Sequence, residues 1–259
     1  MTLITGHRGA RNLWPENSPT GFRNVLALDV DAVEFDVHLT DAGELLVIHD
    51  ATLDRTVEAS GPVRALTPEA RASHRLKDSQ DVIPTLGEVL AILAPAKTKA
   101  LHVEIKSGPD GNPYPGIVEK VAAELARVGL EDRSTLTSFD VSVLEGCRRH
   151  APQMARLVSV NAAWADKQGG LRTFLTQVDS LVETVAIHHE LMEAEWELIT
   201  DMLPLDRLCV WTLNDETLIA TWLDRGIGHL TTDSPDIALR LRAQRSTHDL
   251  HSQHLGDAQ

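Results

Sequence analysis

Positive charge is what this sequence lacks first. Its 24 Lys and Arg face 38 Asp and Glu, a net charge of −14, and no stretch forms the basic stripe with which nucleic-acid binders neutralise phosphates. Nucleic acid is therefore excluded as a partner. An anionic substrate would have to be held by a few placed cations and a metal, against the overall field. Cysteine is nearly absent too. Cys147 and Cys209 are the two present, and they form no metal-ligand spacing, which argues against a zinc module and a disulfide framework. No apolar run approaches the roughly 20 residues that span a bilayer, and the chain enters a strand at once without a basic or apolar leader. The expectation is a cytoplasmic protein with no stable membrane insertion.

What is present suffices for one sizeable core. Hydrophobic residues make up 42% of 259, a length close to the roughly 250 residues typical of a (β/α)8 barrel. Thr2-Leu3-Ile4-Thr5-Gly6 reads as a first strand. Ser18 and Pro19 open a helix to about residue 28, as a capping serine with proline at the first helical position. A strand at 33–37 follows, then a tight connection at 40–44 and a returning strand at 45–49, which make a hairpin. Residues 51–83 are polar and irregular, punctuated by Gly61-Pro62 and Thr67-Pro68, and read as a small insertion. Thr85 caps a helix to about Leu93, before a strand at 101–106. Helices at 116–128, 139–149, 166–177, 190–202 and 215–224 then alternate with strands at 135–138, 156–160, 181–187, 208–212 and 227–232. A last helix opens at Ser234-Pro235. Without the hairpin strand, eight strands alternate with helices. The expected fold class is α/β, a (β/α)8 TIM barrel with a β-hairpin and short insertion after strand 2. Residues 1–242 are read as that single domain, and 243–259 as a polar, unpacked tail.

One stretch organises the candidate site. In Val33-Glu34-Phe35-Asp36-Val37, alternation along a strand points Glu34 and Asp36 to one face and Phe35 to the other. Two adjacent inward carboxylates repel and are costly to desolvate, so something positive should sit between them. Leu101-His102-Val103-Glu104-Ile105-Lys106 repeats the device with Glu104 and Lys106. An isolated Glu-x-Asp would be a solvated strand end, but a third carboxylate at an equivalent strand end turns the reading towards a metal centre. Three oxygen donors without Cys or His partners suit one divalent cation, Mg²⁺ or Ca²⁺, rather than zinc. Of the 12 histidines, His7 and His49 stand at strand ends near these carboxylates and are the candidate proton-transfer pair. Arg8 and Lys106 are candidate phosphate cations, one through a fork of donors and the other as a point charge. Lys106 suits an ion pair with Glu104 equally well. Gly9 would let the backbone approach a ligand. Glu16 and Asn17 are either helix-entry residues or groups that orient Arg8 or the substrate. Asp233 reads as a helix cap beside the site, Trp164 as a loop residue at the cleft, and His188 and His189, at a strand end from which one could face the pocket, as structural by preference.

Nine motifs taken in order resemble the glycerophosphodiester phosphodiesterase family. They are His7-Arg8-Gly9, Pro15-Glu16-Asn17-Ser18, Glu34-Phe35-Asp36-Val37, Thr40-Asp41-Ala42-Gly43, Ile48-His49-Asp50, Ile83-Pro84-Thr85-Leu86, Val103-Glu104-Ile105-Lys106, Trp211-Thr212-Leu213-Asn214 and Thr231-Thr232-Asp233-Ser234-Pro235. The resemblance implies a (β/α)8 barrel with a small insertion, and one divalent metal on Glu34, Asp36 and Glu104. It implies hydrolysis of glycerophosphodiesters, such as glycerophosphocholine or glycerophosphoethanolamine, to glycerol 3-phosphate and an alcohol. His7 and His49 match the family's acid/base histidines, Arg8 and Lys106 its phosphate contacts, and Trp211 the aromatic at the glycerol end. The chain departs from the pattern at Asn17-Ser18, at Ala42 and at Gly228-His229, the last expected close to the substrate face. Two other readings stand beside this one. A lysophospholipase D-type or C-type enzyme would need an apolar groove for an acyl chain, and a metal- or phosphate-binding barrel would lack turnover. An aromatic content of 4% favours the small substrate over the lysolipid, and the joint presence of both histidines and three carboxylates favours an enzyme. A homo-oligomer is compatible with the sequence.

Overall fold

The computed structural model of the protein describes the backbone of residues 1–256 and the side chains of residues 1–245. Its strands are β1 (Leu3–Gly6), β2 (Ala32–Leu39), β3 (Leu45–Val47), β4 (Ala100–Ile105), β5 (Ser134–Ser138), β6 (Ala155–Val160), β7 (Thr184–His188), β8 (Leu208–Trp211) and β9 (His229–Thr232). All but β3 run parallel in the order β1-β9-β8-β7-β6-β5-β4-β2, and β1 pairs with β2 to close the barrel. The short β3 lies antiparallel on β2 and completes the predicted hairpin. Helices α1 (Pro19–Val25), α2 (Pro68–Ser73), α3 (Leu86–Leu93), α4 (Ile117–Arg127), α5 (Val141–His150), α6 (Ala162–Lys167), α7 (Leu171–Val178), α8 (His189–Ala194), α9 (Trp196–Met202), α10 (Glu216–Asp224) and α11 (Pro235–Gly256) make up the helical connections. The expected (β/α)8 architecture is the one found. Among the described residues no helix is long and apolar enough to cross a membrane.

Local chemistry accounts for most boundaries. Thr85 accepts from the Glu88 amide while the Glu88 side chain accepts from the Thr85 amide, a capping box that starts α3. Ser18 caps α1 by accepting from the Gly21 amide, with Pro19 at its first turn. Two predicted helices are each divided. The segment read as 166–177 falls into α6 and α7, separated at Gly169 (φ 86°) and Gly170 (φ 96°), values that favour glycine. The segment read as 190–202 breaks at Glu195, whose φ and ψ of −115° and 24° are not helical. The final helix continues to Gly256 instead of ending near residue 242. From 236 to 255 the sequence holds no proline or glycine to stop it. Residues 257–259 of the predicted tail lie outside the described residues.

The outward face of the barrel carries the core. Phe35 is fully buried and meets Phe22 of α1 edge to face, ring centroids 5.7 Å apart, a geometry that adds to the burial of both rings. The insertion, polar as it reads, packs Leu53, Val57, Val63, Leu66 and Leu76 with Leu46, Ile48 and Ile83 into a small apolar cluster of its own. The inward face differs from a usual barrel interior, where bulky branched residues dominate. Thr137, Ser159, Ala186, Cys209 and Thr231 are small and line a cavity of about 360 Å³ that opens at the carboxyl ends of the strands.

Candidate active site

Register brings the carboxylates together. Asp36 of β2 sits directly across from Glu104 of β4, and Glu34 across from His102. Oxygens of Glu34, Asp36 and Glu104 thereby lie within 4.8 Å of one another. Two cations are already present. The Lys106 ammonium is 2.7 Å from Glu104 Oε1 and 3.4 Å from Asp36 Oδ1. The Arg8 Nε is 3.4 Å from Asp36 Oδ2, and its Nη1 donates to Glu16 Oε1 at 3.2 Å. Burial pulls the Lys106 ammonium down, but Glu104 and Asp36 outweigh it and its pKa is raised. Burial likewise works against ionised Asp36, yet Lys106, His49, Arg8 and His7 hold that carboxyl far below its ordinary range. Glu34 goes the other way, pushed well up by burial and by Asp36 and Glu104. Three carboxylates share two cations, and Glu34 is the one that burial and its neighbours disfavour as an anion.

The same imbalance shows in the hydrogen bonds. Glu34 Oε1 and Asp36 Oδ1 are buried without a hydrogen bond, Asp36 Oδ1 having only the Lys106 ammonium at 3.4 Å, a costly state that a further cation or a proton would relieve. The other oxygens are held in place. Asn17, at φ 52°, donates from Nδ2 to Asp36 Oδ2 at 2.8 Å, and the Arg8 amide donates to Glu34 Oε2 at 3.0 Å. An all-oxygen donor set with unsatisfied buried lone pairs fits a hard divalent cation.

Both histidines are tethered by a carboxylate through Nδ1. His7 Nδ1 is 2.5 Å from Asp233 Oδ1, and its Nε2 is 3.7 Å from Glu34. Burial alone would raise Asp233, but bonds from His7, Arg11 and Asn214 hold it at about 2. His49 Nδ1 is 2.6 Å from Asp50 Oδ1, and burial is the largest influence lowering its pKa. Asp50 is gripped in turn by Arg55 at 2.7 Å, and Arg55 also clamps Glu16 with two bonds of 2.8 Å. Buried His38, its pKa lowered to about 4 by desolvation, donates from Nε2 to the His49 carbonyl at 3.0 Å and anchors that backbone. With Nδ1 engaged on each ring, Nε2 is the atom left for proton transfer.

Of the eight residues singled out from the sequence, His7, Arg8, Glu34, His49, Glu104 and Trp211 line the cavity, while Lys106 lines a neighbouring one and Asp36 lies buried behind them. Trp211 stands edge-on to Phe139, centroids 5.5 Å apart, and its indole Nε1 is buried without an acceptor. At Gly9 a Cβ would lie 3.3 Å from the Gly21 backbone and the Phe22 ring, so its smallness lets α1 close on this turn. One expectation is corrected. Gly228 and His229 are not at the substrate face. They lie at the amino end of β9, where Gly228 packs on the Asp206 backbone, because the cavity opens at the strands' carboxyl ends. Arg55, Asp50, His38 and Phe139 went unassigned in the sequence reading. Asp50 had a signal, its place beside His49, while Arg55 sits in an insertion without local pattern.

The model of the glycerophosphoryl diester phosphodiesterase family matches residues 7–237. A glycerophosphodiester phosphodiesterase from Bacillus altitudinis is 29% identical over 256 residues, covering 94% of this chain and 99% of that protein. Another from Caldanaerobacter subterraneus is 36% identical over 159 residues, 59% of this chain and 64% of that one. A crystal structure from Agrobacterium tumefaciens superposes with a TM-score of 0.86 at 26% identity, covering 95% of this chain and 99% of that one. An Oleispira antarctica phosphodiesterase in complex with the product sn-glycerol-3-phosphate has the same fold, with a TM-score of 0.73 at 21% identity over 93% of this chain and 96% of that one.

Proposed function

The chain belongs to the glycerophosphoryl diester phosphodiesterase family, and from that premise we propose that it hydrolyses small glycerophosphodiesters to glycerol 3-phosphate and an alcohol, using His7 and His49 as an acid–base pair beside one divalent cation. The observation that carries this reading is the pairing of two carboxylate-tethered histidines with an undercompensated three-carboxylate cluster at one barrel mouth. Glu34, Asp36 and Glu104 would hold Mg²⁺ or Ca²⁺, which when bound supplies positive charge against the phosphate oxygens.

The residues of the chain account for the remaining work. His7 takes the proton of the glycerol 2-hydroxyl as that oxygen attacks phosphorus. The bond from phosphorus to the departing alcohol breaks, and His49 gives that alcohol its proton, leaving a cyclic phosphate. Water then opens the ring with roles exchanged: His49 takes the water proton and His7 returns one to the 2-oxygen. Asp233 and Asp50 keep each Nε2 aimed at the reacting atoms and stabilise the imidazolium that each ring becomes in turn. Arg8 and Lys106 contribute positive charge next to the phosphate. The unpartnered Trp211 indole N–H matches a glycerol hydroxyl as acceptor, which supports placing the glycerol in the first cavity. The polar lining there, with Thr137, Ser159 and Thr231, favours glycerol over an acyl chain.

A coupled assay for glycerol 3-phosphate release, with and without a chelator, tests the reading. His49→Ala should lose on the order of 10²–10⁴-fold in rate while divalent-cation binding persists. Full activity in that variant, or in chelated enzyme, overturns the assignment.

A further inference from the structure

We propose that Arg55, carried by the insertion, is a positioning residue for the departure of the alcohol: by clasping Asp50 and Glu16 with one guanidinium it fixes the direction in which His49 delivers its proton. The inference rests on the proposed function, in which His49 protonates that alcohol, and gives a role to a side chain that lines neither cavity at the barrel mouth.

The two histidine tethers are built differently. Asp233, behind His7, is fully buried and receives Arg11 and Asn214 at 2.8 and 2.7 Å. Asp50, behind His49, has a side chain 27% exposed. Such a pair holds its geometry weakly by itself, because water competes for both partners. Among the described residues Arg55 is the other side chain bonded to Asp50. Its Nε donates to Oδ2 at 2.7 Å, and its Nη2 donates at 3.0 Å to Oδ1, the atom that His49 Nδ1 meets. A second edge of the same guanidinium donates to Glu16, Nη1 to Oε2 and Nη2 to Oε1, each at 2.8 Å. A planar fork set between two carboxylates orients both, which a point charge does not.

The clasp is itself held at both ends. Leu53 and Val57, on either side of Arg55, are buried in the apolar cluster of the insertion, and the Lys77 amide donates to the Thr56 carbonyl at 2.9 Å. Glu16 also accepts from Arg8 Nη1 at 3.2 Å and lies 3.7 Å from Arg11 Nη1. Burial works against ionised Glu16, but Arg55, Arg8 and Arg11 outweigh it and its pKa is lowered. An arginine that merely fastened the insertion to the barrel would need Glu16 alone. The second carboxylate it grips is the one that orients His49. Without Arg55, Glu16 keeps Arg8 and Arg11, so the phosphate side stays held while Asp50 is left to His49 and water.

The test compares two leaving groups in single-turnover release of the alcohol, with the divalent-cation-loaded enzyme in excess over substrate. Ethanolamine departs as an alkoxide that needs a proton, whereas p-nitrophenol departs as a stable anion that needs little help. Arg55→Ala should slow release from glycerophosphoethanolamine by about 10-fold to 100-fold, and from the p-nitrophenyl ester of glycerol 3-phosphate by less than about threefold. Arg55→Lys, which keeps the charge and loses the fork, should show the same selectivity at smaller size; it decides the matter if the alanine variant does not fold. Slowing of both esters alike, or of neither, overturns the role of Arg55 and leaves the proposed function standing, provided that His49→Ala slows the ethanolamine ester far more than the aryl one. If His49→Ala slows both esters alike, the assignment of His49 falls and this inference with it.

Discussion

Asp233→Asn is the sharpest probe of the site, because the outcome follows from counting donors. Asp233 accepts from His7 Nδ1 on Oδ1, and from Arg11 Nε at 2.8 Å and Asn214 Nδ2 at 2.7 Å on Oδ2. An asparagine can offer one oxygen. Facing two fixed donors on the Oδ2 side and one on the other, the amide turns its oxygen to Arg11 and Asn214 and its NH₂ to His7. His7 must then accept at Nδ1, which moves its proton to Nε2 and removes the lone pair that abstracts the substrate proton. The structure should survive, while kcat falls by about 10²–10⁴-fold, the range for loss of a positioned base or of its correct tautomer. Folding supplies a second readout. Asp233 is held at about 2, below its ordinary 3.8, so its ionised form stabilises the fold by on the order of 1–2 kcal/mol above pH 4. That contribution is present above the unfolded pKa and is lost as pH falls through the folded one. The stability gap between wild type and Asp233→Asn should therefore close between about pH 4 and pH 2. Initial rates of glycerol 3-phosphate release and urea titrations across that range measure both effects. A variant within threefold of wild type in kcat refutes the tautomer argument.

Three further outcomes follow from other parts of the molecule. Mg²⁺ or Ca²⁺ should raise the melting temperature of the wild type, with about 2.7 kcal/mol gained at a hundredfold excess over Kd, and Glu34→Gln should abolish the rise; an equal rise in both would place the cation elsewhere. Phe35→Ala removes a fully buried ring packed on Phe22 and should cost about 3–5 kcal/mol in urea unfolding, whereas a loss under 1 kcal/mol would contradict the packing described. Burial pushes the thiols of Cys147 and Cys209 up to about 12, so both should resist iodoacetamide at pH 8 in the native protein and react once it is unfolded; fast native labelling would contradict that burial.

The legible features were those with a short-range cause. Alternation along β2 separated Glu34 and Asp36 from Phe35, and the structure keeps that division, carboxylates inward and Phe35 on Phe22. The Thr85 and Ser18 caps set helix starts because each bonds an amide three residues on. Helix interruptions were harder to see. Gly169-Gly170 sits inside a periodic apolar pattern, and the pattern alone does not say that the backbone turns left-handed there. The helical continuation beyond residue 242 was hidden by polar composition, which is not itself a stop signal.

Within the sequence, then, lay the alternating strands and helices, the two carboxylate strands, and the histidines at strand ends, all readable because each depends on neighbours a few residues away. Tertiary structure alone decided how the site is charged and aimed. Asp233 reaches His7 across 226 positions, Arg55 joins Asp50 to Glu16, and Asp36 meets Glu104 through the β2–β4 register. Such contacts arise only when the barrel closes, since closure sets the register of distant strands, and the removal of water upon burial then makes a few ångströms between charges decide which groups hold their protons.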